Sequence, residues 1–413
     1  MGMPFDVPDL MTVRFKLVQD HRSGRYKVSE LAGKYGVSRP TVYKWLERFE
    51  EGGKQALADL PSDPLSSPRK TPKVIEKKIL KLKREHVYWG APIIRDLLRL
   101  EIGERRTPSV TTVGKILKSH GLTFPPKRKN RSAHTPSGEL TAGESPNHVW
   151  CIDFKGNFQT SLEGICTPLT ITDHCSRYLL CAQGMSAELG AVAVKPIIER
   201  RFVEFGLPEI IRSDNGPPFS SLGLAGLSEL AVWWIELDIR PERTRPGKPQ
   251  DNGQHERFHR TMKHESINPA APTQRRQQKQ FDEFRERFNE VRPHRSLGMH
   301  RPAELYRRST REYRASAIYD EHDYPAGWTV RRIGEAHGNV RLGGYQFWLN
   351  HTLQGRSVGF RPMGDGEWDV YFREYRIAQI DERLGEMRTS KYLIRGIEDG
   401  VMKVAKKVPL RRS

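Results

Sequence analysis

Cysteine is scarce in this sequence. Only Cys151, Cys166, Cys175 and Cys181 are present, and no two form a C-x-x-C pair. That argues against a disulfide framework and against a structural zinc site, so the four read as small core residues of one domain in a reducing compartment. Also missing is any apolar run of about eighteen residues, which argues against a membrane span. The opening MGMPFDVPDLMTVRF lacks the basic, apolar, then small order of a secretion signal. Acidic residues are in deficit, with 50 Asp and Glu against 69 Lys and Arg, a net charge of +19. A surplus of that size favours a polyanionic partner, because each neutralised phosphate releases a condensed counterion. The plainer alternative is a basic surface with no ligand. The compartment expected is the cytosol.

What is present is enough chain for several cores: 413 residues, 36% of them hydrophobic. Two Pro-rich polar stretches, LPSDPLSSPRKTP and FPPKRKNRSAHTPSGELTAGESPN, read as linkers. The KRKNR cluster in the second suits a phosphate backbone or a solvated charge run equally well. The organisation predicted is multidomain. An all-α helix-turn-helix domain covers 1–60, a linker 61–72, a second, winged-helix-like helix-turn-helix domain 73–123, and a linker 124–146. An α/β core follows over 147–312, then a small all-β barrel over 318–395 and a basic tail over 396–413. The barrel is inferred from the short runs YQFWL, RSVGF, WDVYF and YRIAQI, separated by Gly, Asp or Asn.

In VSELAGKYGVSRPTVYKWLERFEE a short helix should end near Gly36, where a left-handed residue is tolerated. Ser38 then offers an N-cap, with Pro40 in the first turn of the next helix. Val42, Trp45, Leu46 and Phe49 form one apolar stripe on that helix. Arg39, Thr41, Tyr43, Lys44 and Arg48 are left to meet a major groove. In the second unit Thr107-Pro108 should open a helix with Val110, Val113 and Leu117 inward and Gly121 past its end. Ser109, Thr111, Thr112, Lys115 and Lys118 are then free for phosphates or base edges. The second pattern is the weaker one, since its first turn holds few bases.

Three acids in the middle third fall 61 and then 42 residues apart. Asp153 lies in the β-like run HVWCIDF, Asp214 at the end of the buried run EIIRSD, and Glu256 early in a helix after a Pro- and Gly-rich loop. Two acids at strand ends and one on a helix suit phosphodiester chemistry. Mg2+ takes hard oxygen ligands, and two such ions activate the attacking oxygen and stabilise the leaving one. The expected cofactor is therefore Mg2+, with Mn2+ tolerated, at two ions per site. Arg260 and Lys263 lie four and seven residues beyond Glu256 on one helix face, to hold phosphates of the cut strand or to pair with the acid. Glu242, expected in a loop, and Glu265 are the rival third acids. Asp173 reads as a turn or ion-pair residue with Arg177, Asn215 and Gly216 as shaping a turn with left-handed geometry, and Arg292, His294 and Arg295 as DNA contacts or a helix end at Pro293. His255 and His259 are left out of the catalytic set, since acidified metal-bound water needs no histidine base.

Over about residues 145–310 the sequence resembles the integrase core of bacterial insertion-sequence transposases, related to retroviral integrases. The strings that carry the likeness are WCIDFKG, LTITDHCSRY, RSDNGPPF, PGKPQDNGQHERFHRTMKHE and FNEVRPHRSLGMHRPAELY. The resemblance implies an RNase H-like core with Asp153, Asp214 and Glu256 as metal ligands, and Lys263 as the base one heptad beyond the glutamate. The 41 residues between Asp214 and Glu256 exceed the separation in many relatives. The excess falls in SSLGLAGLSELAVWWIELDI, which reads as a helix and a short strand. The expected activity is recognition of terminal inverted repeats in double-stranded DNA, strand cleavage and strand transfer, by a homo-oligomer with no small-molecule substrate. A regulator that only binds DNA and a nuclease of RNA–DNA hybrids are the rivals.

Overall fold

The chain divides into two compact units, residues 1–72 and 73–413. The computed structural model describes residues 9–59, 70–123, 140–186, 188–221, 223–244, 253–319, 321–335, 338–395 and 404–408. The KRKNR cluster, most of both linkers and the loop before Glu256 lie outside the described residues.

Unit one holds three helices, α1 (Leu10–Arg22), α2 (Val28–Tyr35) and α3 (Arg39–Gly52). Gly36 ends α2 in the left-handed conformation, and the Ser38 hydroxyl accepts from the Thr41 amide to cap α3. Val42 and Trp45 are buried against α1, while Leu46 and Phe49 pack at the margin.

Unit two begins with α4 (Lys73–Glu85), α5 (Ala91–Ile102) and α6 (Val110–Ser119), closed over Ile79, Trp89, Ile94, Leu98, Val113 and Leu117. The cap of α6 is Ser109, which accepts from the Thr112 amide. This places Val110 at the first helical position and leaves it exposed rather than inward. Gly121 follows the helix with a φ of 68°.

The core sheet comprises β1 (Val149–Phe154), β2 (Phe158–Thr160), β3 (Gly164–Asp173), β4 (Leu179–Met185), β5 (Ile210–Ser213) and β6 (Arg240–Arg243). β3 is antiparallel to β1 and to β4, whereas β5 runs parallel to both β1 and β6. Helices α7 (Ala191–Phe205) and α8 (Glu229–Glu236) cover one face, over Trp150, Ile152, Leu169 and Ile171. Helices α9 (Gly253–Met262) and α10 (Gln274–Glu286) cover the other, over Cys166, Leu179 and Ala182. Alternation along β1 and β3 thus sorts side chains between two different helical layers. A short α11 (Pro302–Leu305) ends the core.

The last region is all-β: β7 (Thr329–Arg332), β8 (Asn339–Leu342), β9 (Tyr345–Trp348), β10 (Ser357–Gly364), β11 (Glu367–Phe372), β12 (Tyr375–Asp381), β13 (Glu386–Arg395) and β14 (Val404–Val408). The strands form a six-stranded antiparallel sheet and a separate β8–β9 hairpin. The expected barrel closure is not found: among the described residues no pairing joins the edge strands β7 and β14. The physical reason lies in the long segment between Asp214 and Glu256. Its Leu224, Leu227, Ala231, Val232 and Ile235 share one apolar core with Val340, Phe347, Phe360, Val370 and Ile377. The sheet therefore covers its apolar face with α8 and the hairpin rather than by curling onto itself. Glu236 on α8 pairs with Arg356, and Asn350 Nδ2 donates to the Leu227 carbonyl. Part of the expected basic tail forms the strand β14.

Candidate active site at one end of the core sheet

The β1–β5 register pairs Val149 with Ile210, Trp150 with Ile211 and Cys151 with Arg212. The pairing ends there, and Asp153, still on β1, and Asp214, just past the end of β5, each lie two residues further along the chain. Asp214 follows directly on β5, and its Oδ1 accepts from the Gly216 amide at 3.2 Å. A Cβ at Gly216 would come within 3.1 Å of Asp214 Oδ2. Glycine thus leaves room beside the carboxylate, and neither Asn215 nor Gly216 adopts left-handed geometry.

Helix α9 packs on β3 and β4 through His255, Phe258 and Met262, all buried. Asp153 faces Thr170 in the β1–β3 register. The Thr170 hydroxyl donates to the Asp153 backbone carbonyl at 3.0 Å. Having one proton and two lone pairs, it then accepts from His255 Nε2–H at 2.8 Å and His259 Nε2–H at 2.9 Å. Burial pushes His255 down to about 3, and burial with the neighbouring His255 depresses His259 as well, so both imidazoles are neutral near pH 7. One ligand atom from each of Asp153, His255 and His259 lies within 4.8 Å of the others. Sequence reasoning did not place these histidines beside Asp153. The signal was their spacing of four on the apolar side of the Glu256 helix.

The three acids do not converge that closely. Among the described residues the only three-ligand cluster of this kind is Asp153 with the two histidines. Glu256 is exposed in the first turn of α9. Arg260 and Lys263 are exposed on the same helical stripe, Lys263 at the start of a π-helical turn, Lys263–Ile267. Half-buried Lys155, which sequence reasoning passed over within WCIDFKG, interacts electrostatically with both the Asp153 carboxylate and the Lys263 ammonium. Its pKa is lowered, by burial first and then by Lys263.

Both rival acids are engaged elsewhere. Glu242 is on strand β6, not in a loop, where it pairs with Arg212 at 2.6 Å and accepts from Thr141. Glu265 accepts from Trp89 Nε1 at 3.1 Å and pairs with Arg292, which ties the α4–α6 module to the core. Asp173 is fully buried and accepts from the Asn147 amide and from the Ser176 amide and hydroxyl, a turn role. Burial holds His174 at about 4. The Cys151 and Cys181 thiols are raised to about 11 by burial, as inert core residues, whereas Cys175 is only half-buried.

Of the residues expected to meet DNA, Arg39, Tyr43 and Lys44 are exposed, while Thr41 and Arg48 are half-buried. Thr41 joins the cap through its hydroxyl at 2.8 Å from Ser38 Oγ. Lys44 and Arg48 lie 5.2 and 5.1 Å from the Trp45 ring centre. Thr111, Lys115 and Lys118 are exposed along α6, whereas Ser109 and Thr112 are occupied as its capping pair. Among the described residues no helix is long and apolar enough to cross a membrane.

Comparison with known proteins bears on this layout. Integrase core domain models match residues 143–249 and 237–302. A helix-turn-helix domain model matches 13–64, and a homeodomain-like model 41–117. The 39.2 kDa protein of insertion element IS476 from Xanthomonas euvesicatoria is 28% identical over 65% of this chain and 76% of its own length. The 31.7 kDa protein of insertion element IS407 from Burkholderia multivorans is 24% identical over 50% of this chain and 72% of its own. The Gag-Pol polyprotein of baboon endogenous virus is 33% identical over 32% of this chain, but that is only 7% of the polyprotein. Among solved structures, the HTLV-2 integrase catalytic core domain with magnesium aligns over 40% of this chain and 99% of its own at 15% identity and a TM-score of 0.32.

Proposed function

We propose that this chain, a member of the insertion-element transposases with a retroviral-integrase-type core, binds the terminal inverted repeats of its element and catalyses strand cleavage and strand transfer. The observation that carries the reading is the pairing of Cys151 with Arg212, two residues before Asp153 and Asp214 respectively, which favours the two acids meeting at one sheet edge, with Glu256 on α9, the helix held to β3 next to β1. The engagement of Glu242 and Glu265 in other pairs supports Glu256 as the third acid.

The donors offered by the acid set are carboxylate oxygens, which fit Mg2+ or Mn2+. Asp153, Asp214 and Glu256 would hold two such ions, with the exposed Glu256 free to swing in. Bound there, the ions supply an activated attacking oxygen and a stabilised leaving one. The histidines fit this scheme as braces. Their Nε2 hydrogens are committed to Thr170, which pins α9 to β3 and fixes where Glu256 starts. Lys155, Arg260 and Lys263 hold the phosphates of the strand on either side of the scissile bond. The helix-turn-helix helices α3 and α6 select the DNA. Joining two ends requires at least two protomers, so the working form is a homo-oligomer on double-stranded DNA, in the cytoplasm at the nucleoid.

The test uses a duplex carrying the element's own end, with Mg2+. Asp153→Asn should lose strand transfer by at least about 10²-fold, the scale of removing one preorganised charge-stabilising group, with DNA affinity unchanged. Retained activity would refute the reading.

A further inference from the structure

Helix α9 carries a second polar stripe. Glu256, Arg260 and Lys263 form one; Gln254, Arg257, Phe258 and Thr261, at the same helical spacing, form another that lines a cavity of about 580 Å3. Arg177 closes it from the β3–β4 turn, and Arg292, His294 and Arg295 from the chain after α10.

The charges around this cavity are unbalanced. Arg292 is paired with Glu265, but Arg177, Arg257 and Arg295 have no carboxylate partner at ion-pair distance among the described residues. Asp173, the acid beside Arg177, commits its oxygens to Asn147 and Ser176. Arg177 Nη1 is buried with no hydrogen-bond partner. Arg177 is also weakened as a cation, by burial and by repulsion from Arg257. A buried guanidinium donor and like charges without an acceptor are unfavourable, and a bound anion relieves both.

The size and walls narrow the class of anion. The volume lies in the range of small-ligand sites and exceeds what a lone phosphate needs. Phe258 and Phe288, packed edge to face at 5.3 Å, give the cavity an aromatic wall. Phosphate beside a flat apolar body is the chemistry of a nucleotide, and a base can lie against this wall only when it is out of the duplex stack.

We propose that this cavity binds one unpaired nucleotide of the DNA strand, with its phosphate on Arg177, Arg257 and Arg295 and its base on the Phe258–Phe288 wall. The proposal rests on the reading of DNA as substrate, and not on which acids do the chemistry. Because the two stripes share α9, a nucleotide seated here holds the neighbouring part of its strand near Glu256.

The experiment compares full-length chain bound to a blunt duplex with the same duplex carrying a short unpaired extension that contains 2-aminopurine. The wild type should bind the extended duplex about tenfold more tightly, the scale of stacking one base, with a change in 2-aminopurine emission. Arg257→Ala with Arg295→Ala, both exposed residues, should abolish that preference and the emission change while blunt-duplex affinity stays within about twofold. Arg177→Ala should do the same, and the exposed pair keeps the test valid if that buried variant misfolds. Free deoxyadenosine monophosphate should compete for the extension, and inorganic phosphate should not. No preference in the wild type, an unchanged preference in the double variant, or equal loss on both duplexes would overturn the proposal. Asp153→Asn should keep the preference, so a failure of strand transfer with the preference intact refutes the catalytic reading alone.

Discussion

Two sides of one helix behave oppositely. Glu256 and Arg260 on the outer side of α9, and Lys263 in the turn that follows it, are exposed to solvent. On the side against the sheet, His255 and His259 share the Thr170 hydroxyl and are held neutral by burial. The difference separates a group that has to reach a reacting centre from groups that fix where the reach begins.

The strongest way to break this contrast is Glu256→Gln. It should lower strand transfer by at least about 10²-fold without changing thermal stability, because the side chain is solvated. Glu242→Gln, read in the same assay, should leave transfer near wild type while destabilising the fold through the unpaired, buried Arg212. A reversed pattern would move the third acid to β6.

His255→Ala should do what Glu256→Gln does not. It should cost about 1–3 kcal/mol in denaturant unfolding, for a buried polar network left unsatisfied, and slow transfer by about 10–100-fold, as outer-shell removals do. DNA affinity should hold. A stable His255→Ala protein with full activity would remove the brace from the account.

Acid should act on the same residues. The His255 pKa is about 3 in the folded chain against an ordinary 6.5, so the unfolded chain takes up protons first as pH falls. Stability is full above pH 6.5 and is lost progressively between 6.5 and 3. At pH 5 the loss is about 2 kcal/mol from this group, at 1.36 kcal/mol per pH unit. Unfolding curves at pH 7 and pH 5 check it, and His255→Ala should flatten the dependence. The smallest effect belongs to Lys44→Ala on exposed α3, which should reduce the salt slope of DNA binding by about one.

How much of this was legible in the sequence depended on whether the signal was local. Gly36, Ser38 and the stripe from Val42 to Phe49 lie within one turn and its helix, and the structure has the cap and the helix where those residues put them. In α6 the same logic slipped: choosing Thr107-Pro108 over Ser109 as the start turned Val110 inward, whereas it is exposed at the first helical position. The segment after Asp214 showed its helix, but not that its apolar sides are divided between the core sheet and the C-terminal sheet. That partnership is long-range, and it covers the face that a closed barrel would have turned inward. The acids were visible as motifs. Their histidine neighbours were not, because only the pairing of Asp153 with Thr170 shows what the inner side of α9 meets.

Whether the three acids share the ions is decided by Mn2+ introduced into crystals of the chain bound to an end duplex, with anomalous scattering used to locate the ions. Two peaks ligated by Asp153, Asp214 and Glu256, with His255 and His259 still on Thr170, are the predicted result. A single peak held by Asp153, His255 and His259, with Glu256 turned away, would contradict it.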